Sequence, residues 1–190
     1  MSLATEILDE LDKTLTLADA EQEYKDYITE HIENVKKVWD VVKTIDNKWI
    51  QNNLEQLEEN IKHHDESKWS DEEFEAYRKK YYPVDDEERT HADADFEPAW
   101  NHHYTNNKHH WQYWTCSDGD LDATKHNDER IDNDVMVAYI EMLCDWGAMS
   151  IKFGNRPDEW YKSNKDNMTL WTNEQKELEK ILKEYCKKLD

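Results

Sequence analysis

The helical spacing of apolar residues is the feature that most constrains the fold, because it recurs along most of the chain. Residues 20–45 carry one such stripe, formed by Tyr24, Tyr27, Ile28, His31, Val35, Val38 and Val42. Side chains three and four residues apart share one face of an α-helix, so His31 is expected to point into the core. The spacing returns in residues 48–65, 132–153 and 172–189, and no segment alternates in the manner of a strand. We therefore predict an all-α, single-domain helical bundle of about six or seven helices.

The remaining segments complete this predicted bundle. A short amphipathic helix is predicted over residues 4–15, and Ser70 and Glu73 form a capping box that begins another helix. An acidic loop over 84–95 then precedes a helix from Phe96, and a polar loop follows over 115–130. The chain contains only three Gly and three Pro, so few residues interrupt helices. We predict one domain over residues 1–190, with a core over about 20–153 on which a C-terminal helix, 172–189, packs.

The formal net charge of -21 argues against several classes of partner. Proteins that bind duplex nucleic acid or anionic membranes normally present a basic patch, and the sequence contains no such run of Lys and Arg. No stretch approaches the roughly 18 apolar residues of a membrane helix, and the N-terminus lacks the features of a signal peptide. Three scattered cysteines, Cys116, Cys144 and Cys186, are interpreted as reduced thiols. We expect a cytoplasmic protein that binds neither duplex nucleic acid nor membranes.

The run His63-His64-Asp65-Glu66-Ser67-Lys68 concentrates chemically active side chains at the end of an apolar pattern. His64 and Asp65 follow Ile61 by three and four residues, so they continue the buried face of the preceding helix. Burying ionisable groups costs several kcal/mol unless they are paired or metal-bound. Asp145 lies within the most apolar helical pattern of the chain. We therefore expect His64 and Asp65 to converge with His31 and Asp145 on one site.

A second group of candidate ligands is the histidine-rich run His102, His103, His109 and His110. His103 and His110 are seven residues apart and would share one helix face, and His102 and His109 would share the neighbouring face. A local distortion would instead let His103 converge with the adjacent pair His109 and His110. His103 is the preferred candidate, although the pattern leaves open whether His102 or His103 points inward. The alternative is a polar helix face that is merely rich in histidine.

These residue types predict one or two divalent metal ions. Imidazole and carboxylate together suit Zn, Mn, Fe or Co, and carboxylate-rich sites also suit Mg. Such ions activate water near neutral pH, and two ions can grip a phosphoryl oxygen and a nucleophile together. Asp65 can serve one ion with His64 or bridge two. Lys68 is placed to meet the charge that develops on phosphate oxygens, unless it is simply a solvated residue before Ser70.

The order of His31, His64-Asp65 and Asp145 resembles the H…HD…D signature of the HD superfamily of metal-dependent phosphohydrolases. The run from His64 to Lys68 resembles the HD-x-x-K form of the branch that includes cyclic-dinucleotide phosphodiesterases, whose G-Y-P element is absent here. The resemblance implies catalytic roles for Asp65 and for Lys68 as the phosphate contact. It implies the metal ligands His31, His64, Asp65, one of His102 and His103, His109, His110 and Asp145.

A closer resemblance is to an uncharacterised family of small bacterial and phage proteins with H-H-D-x-S-K, N-H-H…N-x-H-H-W and E-M-x-x-D-W motifs. It extends roughly from His31 to Met149 and implies no activity. The first hypothesis is hydrolysis of a nucleotide-like or other small phosphate ester by metal-activated water. The alternatives are a non-catalytic acidic binding protein, such as a phage inhibitor that mimics nucleic acid, and a degenerate HD domain with a structural metal. The oligomeric state stays open, with a homodimer as one option.

A weaker pattern lies in the second acidic segment. Asp118, Asp120, Asp122 and Glu129 match positions 1, 3, 5 and 12 of a calcium-binding loop. Ala123 stands where that loop requires Gly, so coincidence is the favoured interpretation.

Overall fold

The computed structural model describes residues 15–126 and 130–190, and these ranges confirm the predicted all-α class. They contain eight α-helices and three short 3₁₀ helices, and their only extended pairing is a single bridge between Thr115 and Leu121. The α-helices therefore outnumber the six or seven expected. The helix predicted over residues 4–15 falls, except for its last residue, outside the described ranges.

The helix bounds define the elements used below. The α-helices are α1 (Leu17–Val42), α2 (Lys48–Gln51), α3 (Leu54–Lys62), α4 (Phe74–Tyr81), α5 (Asp86–Asn106), α6 (Asn133–Phe153), α7 (Pro157–Asn164) and α8 (Thr172–Lys187). The 3₁₀ helices are Glu66–Trp69, Trp111–Trp114 and Lys165–Asn167. The chain divides into two compact units: a smaller unit with residues 15–28 and 68–102, and a larger unit with residues 29–67, 103–126 and 130–190.

The larger unit is built around α6, which is buried along most of its length. Helices α2, α3, α7 and α8 pack on α6, and Val35 and Val38 of α1 join the same hydrophobic core. The side chain of Asp132 caps α6 by accepting hydrogen bonds from the N–H groups of Asp134 and Val135. Gly154 ends α6 in the left-handed conformation, with φ of 67°.

Aromatic rings and one buried ion-pair network hold the smaller unit together. The ring centroid of Tyr24 lies 5.1 Å from that of Phe74, and the centroid of Tyr77 lies 4.8 Å from that of Phe96. Each large aromatic side chain buries a large apolar area, so a few of them are enough to form the core of the smaller unit. The fully buried Arg78 adds ionic contacts within the same unit.

The predicted acidic loop over residues 84–95 is wrong, because α5 already begins at Asp86. Asp85 Oδ1 accepts a hydrogen bond from the Glu88 N–H at 2.8 Å, which caps the first turn. Asp86, Glu87 and Glu88 occupy that turn, where the positive end of the helix dipole stabilises carboxylates. The acidic composition therefore starts this helix and does not prevent it.

The predicted capping box at Ser70 is also wrong. Glu73 occupies the N-cap position of α4, and its fully buried carboxylate has Oε1 2.7 Å from His102 Nδ1. The Ser70 hydroxyl makes no hydrogen bond with any residue in the described ranges. The partly exposed His102 thus outcompetes the local backbone for the buried Glu73 side chain.

The helix predicted over residues 132–153 ends at Phe153, and Pro157 begins α7 three residues after Gly154. Proline suits the first turn of a helix, where a backbone N–H would have no intrahelical acceptor. No helix in the described ranges combines the length and hydropathy that crossing a membrane requires.

Candidate metal centre

His64 and Asp65 lie in a tight turn after α3, and not on the helix that the spacing predicted. Helix α3 ends at Lys62, and Asp65 has φ of 59°, in the left-handed region that Asp adopts more readily than most residues. Both side chains are nevertheless buried, with His64 and Asp65 each 1% exposed. Their burial was predicted correctly, but a turn and not a continuous helix produces it.

The Asp65 carboxylate divides its two oxygens between two pairs of imidazoles. Oδ2 lies 3.4 Å from His31 Nε2 and 3.6 Å from His64 Nε2. Oδ1 lies 3.3 Å from His103 Nε2 and 3.4 Å from His109 Nε2. Residues from α1, α5 and two turns therefore converge on one carboxylate.

Asp145 and His110 extend these two groups. Asp145 Oδ1, on α6, lies 3.2 Å from His31 Nε2, and His110 Nε2 lies 2.8 Å from His103 Nε2. We define the first subsite as His31, His64, Asp65 and Asp145, and the second subsite as Asp65, His103, His109 and His110. Ligand atoms of His31, His64 and Asp65 lie within 4.8 Å of one another, as do those of the whole second subsite.

The end of α5 explains how the histidine-rich run converges. The helix stops at Asn106, so His109 and His110 lie in the following turn and not two helical turns beyond His103. This is the distortion that sequence spacing left open as an alternative. His103 belongs to the cluster, whereas His102 lies in the smaller unit with Nδ1 2.7 Å from Glu73 Oε1.

The distances within both subsites fit a shared cation. Two ligands bound to one transition-metal ion at roughly 2.1 Å lie roughly 3.0–3.4 Å apart in octahedral or tetrahedral geometry. The distances from Asp65 to its four imidazoles, 3.3–3.6 Å, are close to that spacing and longer than ordinary N–H···O hydrogen bonds. His64 Nε2 and His109 Nε2 are buried and form no hydrogen bond within the described ranges. The residues present therefore fit one or two divalent ions.

Glu141, one turn before Asp145 on α6, orients two of these imidazoles. Its Oε1 lies 2.9 Å from His64 Nδ1 and 3.1 Å from His109 Nδ1, and Asn60 Nδ2 donates a hydrogen bond to Oε2 at 3.0 Å. A carboxylate oxygen accepts, so each Nδ1 carries a proton and each Nε2 faces Asp65. With a cation bound in place of a second proton, each Nε2 would offer it a lone pair. This role was not predicted from the sequence, although a glutamate four residues before Asp145 in an apolar helical pattern was a usable signal.

Ser67 and Asn107 orient His103 in a similar way. Ser67 Oγ lies 3.2 Å from His103 Nδ1 and accepts a hydrogen bond from Asn107 Nδ2 at 2.7 Å. The serine hydroxyl has the lone pairs to accept from the His103 Nδ1–H as well, which leaves Nε2 to face Asp65. The Ser in H-H-D-x-S-K and the Asn in N-x-H-H-W thus support a candidate ligand.

The electrostatics of the cluster favour added positive charge. Burial lowers the pKa of His109, but the carboxylates of Asp65 and Glu141 outweigh burial and raise that pKa to about 10. Burial raises the pKa of Glu141, and the imidazoles of His109 and His64 outweigh it and lower that pKa to about 2. Buried carboxylates need a compensating cation, which protonated imidazoles or a divalent metal ion can supply.

Lys68 belongs to the smaller unit, and the candidate calcium loop shares no residue with either subsite. Lys68 Nζ lies 5.7 Å from the Tyr77 ring centroid within the smaller unit, and its phosphate-binding role stays a prediction. In the loop, Asp118 Oδ1 accepts from the Asp120 N–H, and Asp122 Oδ1 accepts from Thr124. Glu129 lies outside the described residues, so the calcium pattern also stays a prediction. Cys116, Cys144 and Cys186 are free thiols.

Comparison with known proteins gives one match. A family model described as "Family of unknown function (DUF5662)" matches residues 20–188, a range that contains every residue of both subsites. No curated protein and no solved structure shows significant similarity to the chain.

Proposed function

The chain belongs to this family of unknown function, and we propose that it is a metal-dependent phosphohydrolase acting on a nucleotide or another small phosphate ester. The observation that carries the proposal is the division of the Asp65 carboxylate, whose two oxygens face two separate groups of imidazoles. A carboxylate shared in this way is suited to bridge two cations, as two-metal phosphoryl-transfer sites require. The H…HD…D order that resembles the HD superfamily supports the same reaction class.

Each subsite has a ligand set of its own. The first subsite would hold an ion with two imidazoles and two carboxylates, and the second with three imidazoles and one oxygen of Asp65. Mn, Fe, Zn and Co suit both sets, and the nitrogen-rich second subsite favours these metals over Mg. When bound, such ions supply Lewis acidity and lower the pKa of water.

The protein residues contribute binding and orientation. Glu141 and Ser67 hold His64, His109 and His103 with Nε2 towards Asp65, so the ligands need little rearrangement. The low exposure of Asp65 keeps bulk water from this carboxylate, which strengthens its electrostatic interactions. The phosphate-binding role of Lys68, in the smaller unit, stays a prediction from its place in the sequence, based on an ammonium that would offset negative charge on phosphate oxygens.

The test is hydrolysis of a panel of phosphate monoesters and diesters, nucleotides included, by protein loaded in turn with Mn²⁺, Fe²⁺, Zn²⁺, Co²⁺ and Mg²⁺. Asp65→Asn removes the bridging charge but keeps side-chain size and tolerance of the left-handed backbone. We expect this variant to lose metal and more than about 100-fold in kcat/KM. Asp118→Asn, in the exposed turn, is the matched control and should retain both.

Two results would contradict the proposal in different ways. Metal uptake without hydrolysis of any ester would contradict the hydrolase assignment and favour a structural metal site. The absence of metal uptake by the wild-type protein would contradict the metal centre itself. That second result would favour a non-catalytic acidic binding protein, an alternative consistent with the net charge of -21.

A further inference from the structure

Glu141 touches one candidate ligand from each subsite through a single oxygen atom. Its Oε1 lies 2.9 Å from Nδ1 of His64, which belongs to the first subsite, and 3.1 Å from Nδ1 of His109, which belongs to the second. The two imidazole centroids are only 4.2 Å apart. A displacement of this oxygen would therefore move or release both rings together.

The Glu141 carboxylate is itself held firmly. It projects from α6, is 6% exposed, and accepts a hydrogen bond to Oε2 from Asn60 of α3 at 3.0 Å. Both carboxylate oxygens thus have donors from outside α6. Burying a carboxylate in a largely apolar helix is costly, and these three donors offset the cost without contributing to hydrophobic packing. The arrangement is therefore better explained by the orientation of the histidines than by core stability.

We propose that Glu141 is a positioning residue that couples the two metal subsites. By accepting from both Nδ1–H groups, it directs Nε2 of His64 and Nε2 of His109 towards Asp65 at the same time. An ion bound at one subsite would fix the histidine of that subsite and, through it, the Glu141 carboxylate. The carboxylate would then hold the histidine of the other subsite in the orientation that metal binding requires. This inference rests on the metal centre of the proposed function and is independent of whether the centre hydrolyses phosphate esters.

The experiment measures the affinities of both subsites for Co²⁺ and Mn²⁺, by calorimetry and by competition with a chelator, in Glu141→Gln and Glu141→Leu. Carboxylates that hydrogen-bond to a metal-binding imidazole typically contribute 10–100-fold to metal affinity. We expect Glu141→Gln, which keeps an acceptor oxygen, to weaken both affinities about 10-fold, and Glu141→Leu to weaken both about 100-fold. The visible absorption of bound Co²⁺ should change in both variants, because the imidazoles are no longer fixed.

Glu174→Gln is the matched control. Glu174 is another fully buried carboxylate, with Oε1 3.0 Å from His126 Nε2, and it belongs to neither subsite. The control should retain both affinities even if its metal-free Tm falls. Comparing metal-free Tm values in all variants separates a loss of fold from a loss of ligand orientation.

Several outcomes would overturn the coupling role. The role is contradicted if either subsite keeps its wild-type affinity for metal in both Glu141 variants. It is also contradicted if the variants have a lower Tm but, while folded, bind metal with unchanged affinity. Should Glu141→Leu fail to fold, Glu141→Gln decides alone. Wild-type protein that binds metal but cleaves no ester defeats only the hydrolase assignment, and wild-type protein that binds no metal defeats both proposals.

Discussion

At the residue scale, Asp65 combines an unusual backbone with the central position in the cluster. Its φ of 59° lies in a region that costs most residues roughly 1–2 kcal/mol, although Asp is among the residues that tolerate it. Such strain persists only where the surrounding structure enforces it, and it is typical of functional sites. Here the turn directs both carboxylate oxygens towards imidazoles from other elements. Tests at this position therefore need Asn, because Ala would add backbone strain to the loss of a ligand.

Arg78 and Glu88 form a second residue-scale feature, within the smaller unit. The buried guanidinium donates to Glu88 through Nη1 at 2.6 Å and Nη2 at 2.7 Å, a bidentate pair. The hydrogen bonds from Arg78 lower the pKa of Glu88 to about 2 from its ordinary 4.5. Because the folded pKa is the lower one, the stabilisation is fully present above about pH 4.5 and is lost as the pH falls towards about 2.

We predict that Glu88→Gln lowers the free energy of unfolding by roughly 1.5–3 kcal/mol at pH 7, because Arg78 loses a charged partner. The difference between wild type and variant should shrink between about pH 4.5 and about pH 2, as the wild-type carboxylate becomes protonated. Urea titrations across this pH range measure it. Glu87→Gln, at a neighbouring exposed position, should change stability by less than about 1 kcal/mol. A pH-independent difference for Glu88→Gln would contradict this explanation.

Some residues of the cluster could be assigned to the site from the sequence, whereas others could not. His31 and Asp145 lie on helices whose spacing points them inward, and the structure brings both to Asp65. Glu141 and Ser67 could not be assigned roles, because their partners are 77 and 36 residues away in the chain. Such supporting contacts depend on tertiary packing, which local spacing does not encode.

At the element scale, the packing of α6 against α1 depends on Gly147. A Cβ at this position would lie 2.7 Å from Val38 Cγ1 and 3.3 Å from the Tyr185 hydroxyl. The first distance is a steric clash, and the β-branched Val38 side chain has few rotamers with which to relieve it. The close approach of these helices matters for the site because α1 carries His31 and α6 carries Asp145.

We predict that Gly147→Ala destabilises the protein by roughly 1–2 kcal/mol, because overpacking outweighs a gain of about 1 kcal/mol in helix propensity. Thermal and urea unfolding would measure the loss. Val38→Ala removes the clashing methyl groups, so the double variant should be more stable than the sum of the single effects by about 1 kcal/mol or more. Strictly additive effects would show that the methyl group is accommodated elsewhere.

Element types were easier to predict than element boundaries. The long periodic patterns of α1, α6 and α8 are helices as expected. The segment 48–65 instead breaks into α2, α3 and a turn, because Asn52 and Asn53 end one helix and precede the next. Caps and turns of this kind depend on a few polar contacts, whereas an apolar stripe is specified by many residues at once.

At the scale of the whole molecule, the net charge of -21 and the buried cluster have related consequences. A strongly negative protein attracts divalent cations and repels polyanions such as duplex nucleic acid. Bound cations in both subsites would reduce that repulsion locally, which is consistent with the proposed small phosphorylated substrate. Bound cations would neutralise negative charge most directly at the Asp65 carboxylate, which both subsites share.

The most direct test of the metal centre is anomalous X-ray diffraction from crystals of the wild-type protein grown with Mn²⁺, with data collected on both sides of the manganese absorption edge. Two anomalous peaks are predicted, one beside Asp65 Oδ2 among His31, His64 and Asp145, and one beside Oδ1 among His103, His109 and His110. Asp65→Asn crystals should lose at least one of them. Wild-type crystals grown at a saturating Mn²⁺ concentration that show no anomalous peak within bonding distance of Asp65 would contradict the metal centre.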